Sequence, residues 1–235
     1  MTNKQLIILV PKGAEYQSVC RGIGNTDPRL LEEVGDLNSQ TSAPLILPIP
    51  VGVKALTQYL ENDFSLSPSR VLIMGLCGSL SPKIKVGDVV LYENCRYEGE
   101  VLECDRSFTS QIYNHLKTKV ALVKSLTSDS VVYSASEKRS LAETYAAEVV
   151  DMEGFAALTV LSKRGISVAM LRVVSDDSEH NIPNLNSAID EKGNLQPLPL
   201  AWEMITQPIA ALNLIKGSLQ GLKLLQQVAS QITLT

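Results

Sequence analysis

The sequence predicts an α/β fold: a single domain over residues 1–235, with a central, mixed, largely parallel twisted sheet flanked by helices. Three observations predict it. Short apolar runs alternate with segments of helical spacing, as in sheets covered by helices on both faces. The length suits one large domain. There is no internal repeat and no low-complexity segment.

The elements follow in chain order. LIILV (6–10) is an unbroken apolar run that meets Pro11 and Gly13 at once, which reads as a buried first strand rather than the core of a signal peptide. Further strands are expected at 44–50, 70–76, 87–93, 120–126, 130–134, 147–152 and 166–175, all short apolar runs rich in Val, Ile and Leu. Helical spacing is read over 51–62, 108–119, 136–147 and 154–165. A long helical region over about 200–228 closes the chain, and Pro208 breaks or kinks it. The polar stretch 176–199 is the longest irregular piece. It reads as a linker or as a loop over a site, and no separate core follows it.

Composition narrows the class. Net charge is −4 with acids and bases interspersed, so no basic stripe marks a nucleic-acid binder. Cys20, Cys77, Cys95 and Cys104 show no CxxC spacing, and only His115 and His180 could join them, so no metal site is expected. An even number of cysteines in a chain of this size does not imply disulfides, and a reduced, cytoplasmic setting is the simpler reading. No run approaches the roughly 18 apolar residues of a membrane span. No GxGxxG follows the first strand and no GKS or GKT follows the glycines at 75–78, which argues against a dinucleotide fold and a Walker site.

In open α/β sheets ligands gather at the carboxyl ends of strands. Four places qualify. In ILVPKGAEYQSV (8–19), Glu15 begins a helix, where an acid also meets the helix dipole. In MGLCGSLSPKIKVGD (74–88), a strand ends in Gly75-Leu76-Cys77-Gly78, and glycines allow close approach of a ligand or simply make a turn. In VVDMEGFAAL (149–158), Glu153 stands at a strand–helix junction, while Asp151 suits a helix cap. In LRVVSDDSEHN (171–181), Ser175, Asp176 and Asp177 follow a long strand, and Arg172 inside it needs an acidic partner. Glu15, Glu153 and Asp176 thus lie at separate strand ends beside a glycine-rich segment. Three acids without metal ligands point to acid–base chemistry and the binding of hydroxyls.

These segments resemble the nucleoside phosphorylase and nucleosidase superfamily, which includes purine nucleoside phosphorylases and methylthioadenosine/S-adenosylhomocysteine nucleosidases. MGLCGSLSPKIKVGDVV is similar to its glycine-rich motif, VVDMEGFA to its V-x-M-E-x-x-A segment and LRVVSDD to its R-x-x-S-D segment. The stretch EHNIPNLNSAIDEKGNLQPLPLAWEMITQPIAALNLI is similar to the ends of a bacterial subgroup that includes hopanoid-associated phosphorylases. The resemblance implies cleavage of the N-glycosidic bond of a purine nucleoside, such as methylthioadenosine or S-adenosylhomocysteine. It implies Asp176 as the acid facing purine N7, with Ser175 beside it. It implies Glu153 on the ribose hydroxyls, Met152 against the sugar, Cys77 and Gly78 lining base and sugar, and Glu15 activating water.

Three departures bear on the nucleophile. Leu76 stands where many members carry Ser or Thr, no arginine lies within the glycine segment, and the early segment lacks an obvious phosphate-binding Gly/Arg set, with Arg21 the nearest candidate for one. Together they favour water slightly over phosphate. The alternatives are a phosphorylase of the hopanoid-associated type, with inorganic phosphate as co-substrate, and a nucleoside-binding protein without catalysis. Val131, Tyr133 and Phe155 are the candidates for stacking on the base. No cofactor, nucleic acid or membrane partner is expected. By resemblance, the chain assembles as a homo-oligomer (dimer, trimer or hexamer).

Overall fold

The first strand, β1 (Leu6–Pro11), is buried at every position, as an unbroken apolar run requires. The computed structural model describes residues 6–24, 44–66 and 68–232. Strand β1 lies between β2 (Leu45–Ile49) and β3 (Arg70–Ser79), parallel to both. Strand β3 then runs parallel to β8 (Ser167–Asp176), and its last two residues turn onto β7 (Val149–Asp151) in antiparallel pairing. Strand β4 (Val89–Tyr97) is antiparallel to β8 and parallel to β6 (Val120–Thr127), which in turn is parallel to β7. Strand β5 (Glu100–Glu103) folds back on β4. The result is one mixed, mostly parallel, eight-stranded sheet with a strong twist.

Side-chain alternation divides the core in two. Along β3, Val71, Ile73 and Cys77 face helices α2 (Val53–Gln58, continued by a π turn, Tyr59–Asp63) and α5 (Gly154–Lys163). Leu72, Met74 and Leu76 face α1 (Ala14–Ile23), α3 (Arg106–His115) and α7 (Pro208–Ala229). Helix α4 (Ala135–Tyr145) covers a smaller cluster around Leu80, Leu126 and Val150. Arg172 belongs to the α5 face by the same alternation, since its strand neighbours Met170 and Val174 lie there.

The predicted architecture is observed, with local differences. Strand β3 does not end in a glycine turn; it passes straight through Gly75 and Gly78 to Ser79. The run at 130–134 is not a strand. Val131 exchanges both backbone hydrogen bonds with the Asn186 side chain, and the Tyr133 carbonyl accepts from the Ile182 N–H. A loop therefore satisfies the backbone groups that a ladder would have used. Strand β5 was not foreseen. Its signal is the Glu98-Gly99 pair, both with positive φ, which makes the two-residue hairpin turn. The C-terminal helical region breaks as Pro208 predicts: α6 (Pro197–Thr206) ends just before it and α7 starts on it. Among the described residues no helix is long and apolar enough to cross a membrane.

Helix α7 packs directly on the end of β8. A Cβ built on Gly217 would lie 1.9 Å from the Ser175 carbonyl oxygen, and one on Gly221 would lie 2.9 Å from Leu76 Cδ2. Gly217→Val should therefore push α7 off the sheet and cost about 1–3 kcal/mol. A lowered urea midpoint with an unchanged slope checks this; an unchanged midpoint would contradict the packing.

Candidate active site

The site begins with a charge that has no place in an apolar strand. Arg172 is fully buried in β8, directly opposite Gly75 of β3. Its Nη2 donates to Asp151 Oδ2 at 3.3 Å and to Glu153 Oε2 at 3.1 Å. Asp151, at the end of β7, also accepts from Thr127 Oγ1 at 2.9 Å and from the Gly154 N–H at 3.1 Å. It thus caps α5 and anchors the guanidinium, both roles its sequence position allowed. Glu153, the residue preceding α5, accepts weakly from the Gly52 N–H on its other oxygen at 3.4 Å. Burial raises the Glu153 carboxyl above the ordinary range, and the guanidinium opposes that rise.

Glu15 enters from the first turn of α1. Its Oε2 accepts from the Leu76 N–H at 2.7 Å. A Cβ on Gly75 would fall 2.3 Å from Arg172 Nη1 and 2.5 Å from that same Glu15 oxygen. Glycine is therefore required at 75 so that an acid and a guanidinium can converge on the strand. The residue is only part-buried as a whole, but its carboxylate end is the deep part. Desolvation lifts it to about 7, against the pull of Arg172 and the Leu76 amide and with help from the charge on Glu153. Arg172 Nε and Nη1 are buried without a hydrogen-bond partner among the described residues.

One turn of the pleat further along, Asp176 stands against Gly78, where an added Cβ would lie 2.9 Å from Oδ2. Its Oδ1 lies 2.9 Å from Ser175 Oγ, whose hydroxyl also faces the Cys77 carbonyl at 3.2 Å. Its Oδ2 accepts from Nζ of Lys138, a fully buried lysine of α4. Asp177, by contrast, turns outward to cap Glu179 and His180.

The structure therefore brings Glu15, Glu153, Asp176, Ser175, Cys77 and Gly78 together along the end of β3. Cys77 contributes its carbonyl; its thiol is buried, and desolvation raises it far from ionisation. Met152 lies beside them, on the wall of a cavity of about 420 Å³ shared with Gly52, Val53, Ser130 and Asn186. Arg21 is a correction: it sits in the last turn of α1, at the opposite end of the helix from Glu15. Phe155 is buried and stacks on Tyr97, with ring centroids 5.4 Å apart. Leu76 turns its side chain to α7 and offers only its amide to the site. Sequence reasoning missed Lys138, because on a surface helix a lysine reads as solvated. Among the described residues no group of His, Cys, Asp or Glu is arranged to hold a metal ion.

The profile of the phosphorylase superfamily matches residues 50–195, well over half the chain. The chain belongs to this superfamily. Membership places it among nucleosidase or phosphorylase enzymes. Its superfamily fold is shared with Helicobacter pylori futalosine hydrolase, at 16% identity and a TM-score of 0.60, covering 96% of this chain and 98% of the other. It is shared equally with the 5′-methylthioadenosine/S-adenosyl homocysteine nucleosidase of Helicobacter pylori, at 18% identity and a TM-score of 0.61, covering 96% and 97%. A mutant of that nucleosidase with an aspartate changed to asparagine, solved with 5′-methylthioadenosine in its active site, matches at 17% identity and 0.59, covering 97% and 98%. No curated protein matches the sequence.

The raised Glu15 carboxyl has a cost in stability. The folded state holds its proton up to about pH 7 while the unfolded chain releases it near 4.5, so stability contributed by this group falls as pH rises between those values. Glu15→Gln keeps the Leu76 hydrogen bond and removes that loss. Allowing for its partial exposure, the variant should match wild type near pH 4 and exceed it by about 1–2 kcal/mol at pH 8. Paired urea titrations at the two pH values read this; a variant equally stable or weaker at pH 8 would refute it.

Proposed function

We propose that the protein hydrolyses the N-glycosidic bond of a purine nucleoside, with an adenosine derivative such as methylthioadenosine or S-adenosylhomocysteine as substrate. The observation that carries the reading is the convergence of Glu15, Glu153 and Asp176 on one strand end, at Gly75 and Gly78. Breaking a ribosyl C–N bond leaves a cationic sugar and a basic purine. Asp176 delivers the proton that neutralises the purine at N7, with Ser175 orienting it. Glu153, fixed by Arg172, accepts from the ribose hydroxyls and binds the sugar more strongly as its charge grows. Gly52 ties Glu153 to the 420 Å³ cavity, where Met152 packs on the sugar and the apolar Val51, Val53 and Ile189 receive its 5′ substituent.

Glu15 supports water as the nucleophile. A base titrating near 7 is matched to neutral pH. The same carboxylate occupies the strand amide of Leu76 and repels an anion there. Among the described residues the two fully buried cations, Arg172 and Lys138, are already matched with carboxylates, leaving neither charge to a phosphate. The names of the hydrolase and nucleosidase neighbours are consistent with this choice. We further propose a homo-oligomer, supported by the apolar side chains that α6 and α7 expose, Leu198, Trp202, Ile205 and Ile209 among them. The cytoplasm is the proposed compartment, on the four free cysteines.

Chromatography of a nucleoside panel, incubated with and without phosphate, tests the reading. Free base and free sugar should appear at the same rate in both; a phosphate requirement would make the protein a phosphorylase, and no release would make it a binder. Asp176→Asn should lower turnover by about 10²-fold or more while the protein stays folded. The rate should rise with pH through about 7 as Glu15 becomes the free base, and Glu15→Gln should remove that limb together with most of the activity.

A further inference from the structure

The buried lysine has no part in the roles assigned above. Helix α4 buries only Ala135 and Lys138, so Lys138 takes a deep position that an apolar residue would ordinarily fill. Exchanging a buried ion pair for apolar packing is often neutral or stabilising, so stability alone does not call for a lysine there. The start of the helix is fastened to the chain that follows Asp176: the Ala135 N–H donates to Asn181 Oδ1, and the Ile182 N–H donates to the Tyr133 carbonyl. Lys138 Nζ adds bonds to Asp176 Oδ2 and to the Asp177 carbonyl, the latter at 2.6 Å. Other titratable groups by the pair are the Cys77 thiol on β3, which feels the Asp176 charge, and the Asp177–His180 pair on the loop; Glu137 and Arg139 of α4 are exposed.

The hydrogen bonds locate the proton. With Lys138 on Oδ2 and the Ser175 hydroxyl on Oδ1, both oxygens of Asp176 accept, which is the behaviour of a carboxylate. An acid in this arrangement has no proton of its own to give. The cationic proton donor in contact with it is Lys138. Ser175 is built to follow a transfer, because its single hydrogen faces two acceptors, Asp176 Oδ1 and the Cys77 carbonyl.

We propose that Lys138 is the proton reservoir for Asp176, a positioning residue that loads the general acid during turnover. The inference rests on the hydrolytic reading above. Lys138 Nζ–H passes its proton to Asp176 Oδ2, and the Ser175 hydroxyl swings to the Cys77 carbonyl as the carboxyl becomes neutral. Asp176 then gives that proton to N7 while the C1′–N9 electron pair goes to the base. Glu15 takes the proton of the attacking water. Lys138 is left as a neutral amine, Asp176 as a carboxylate and Glu15 as a carboxylic acid; when the products leave, solvent restores the ammonium and takes the proton from Glu15.

The test separates proton delivery from packing by the leaving group. Lys138→Met should lower kcat on the best purine nucleoside about 10²-fold or more, with KM within about threefold. The same variant should cleave p-nitrophenyl riboside at close to the wild-type rate, because nitrophenolate leaves without a proton; that activity also reports the fold. Lys138→Arg keeps the charge but holds its protons too tightly to give them up, and should not restore purine turnover. Equal loss on both substrates, or full rescue by arginine, would overturn the proposal. Lys138→Gln carries the same comparison if the methionine variant does not fold. A wild-type protein that releases no base from any nucleoside would instead sink the hydrolytic reading itself.

Discussion

A guanidinium buried without exposure in the middle of a strand must be answered by carboxylates, and Arg172 dictates where they stand. Asp151 and Glu153 meet it from the junction of β7 and α5, two residues apart, so one ion cluster fixes the end of a strand, the cap of a helix and the direction of a carboxylate. Leaving either partner out would strand a charge in low dielectric. The opposite strand must yield space to the same group, which is why position 75 has no side chain. The apolar layers on either face of the sheet then hold the cluster in register, since β3 and β8 pair along nearly their whole length.

The three acids end in different electrostatic settings because different neighbours reach them. Glu153 has a permanent cation; Glu15 has an amide and burial; Asp176 has a lysine and a serine. That separation gives one short stretch of sheet three distinct carboxyl groups, as the proposed base, sugar clamp and acid require. It depends on strand alternation: Arg172 faces the α5 layer, whereas the neighbouring Leu171 and Val173 face α7. A slip of one residue in β8 would exchange these faces and dismantle the site.

Much of this was legible in order along the chain. The alternation of apolar runs and helical spacing gave the layers, Pro208 placed the break between the last two helices, and the need of Arg172 for acidic partners pointed to the pairing found. The run 130–134 misled because Val and Tyr fit a strand equally well, and only the Asn186 side chain decides that its backbone pairs with a loop. The glycines at 75 and 78 read as room for a ligand or as a turn, because the side chains from α1 and β8 that crowd them are revealed by no local pattern.

By itself the sequence determined the fold class and the acids at the strand ends, because periodicity and charge in an apolar setting are local properties. Only the tertiary structure decided which partner each acid receives. Lys138 lies 38 residues from Asp176, and Glu15 lies 61 residues from the amide it binds. Partners at such separations are chosen by sheet register and helix packing, so the settings of Asp176 and Glu15 exist only in the folded chain.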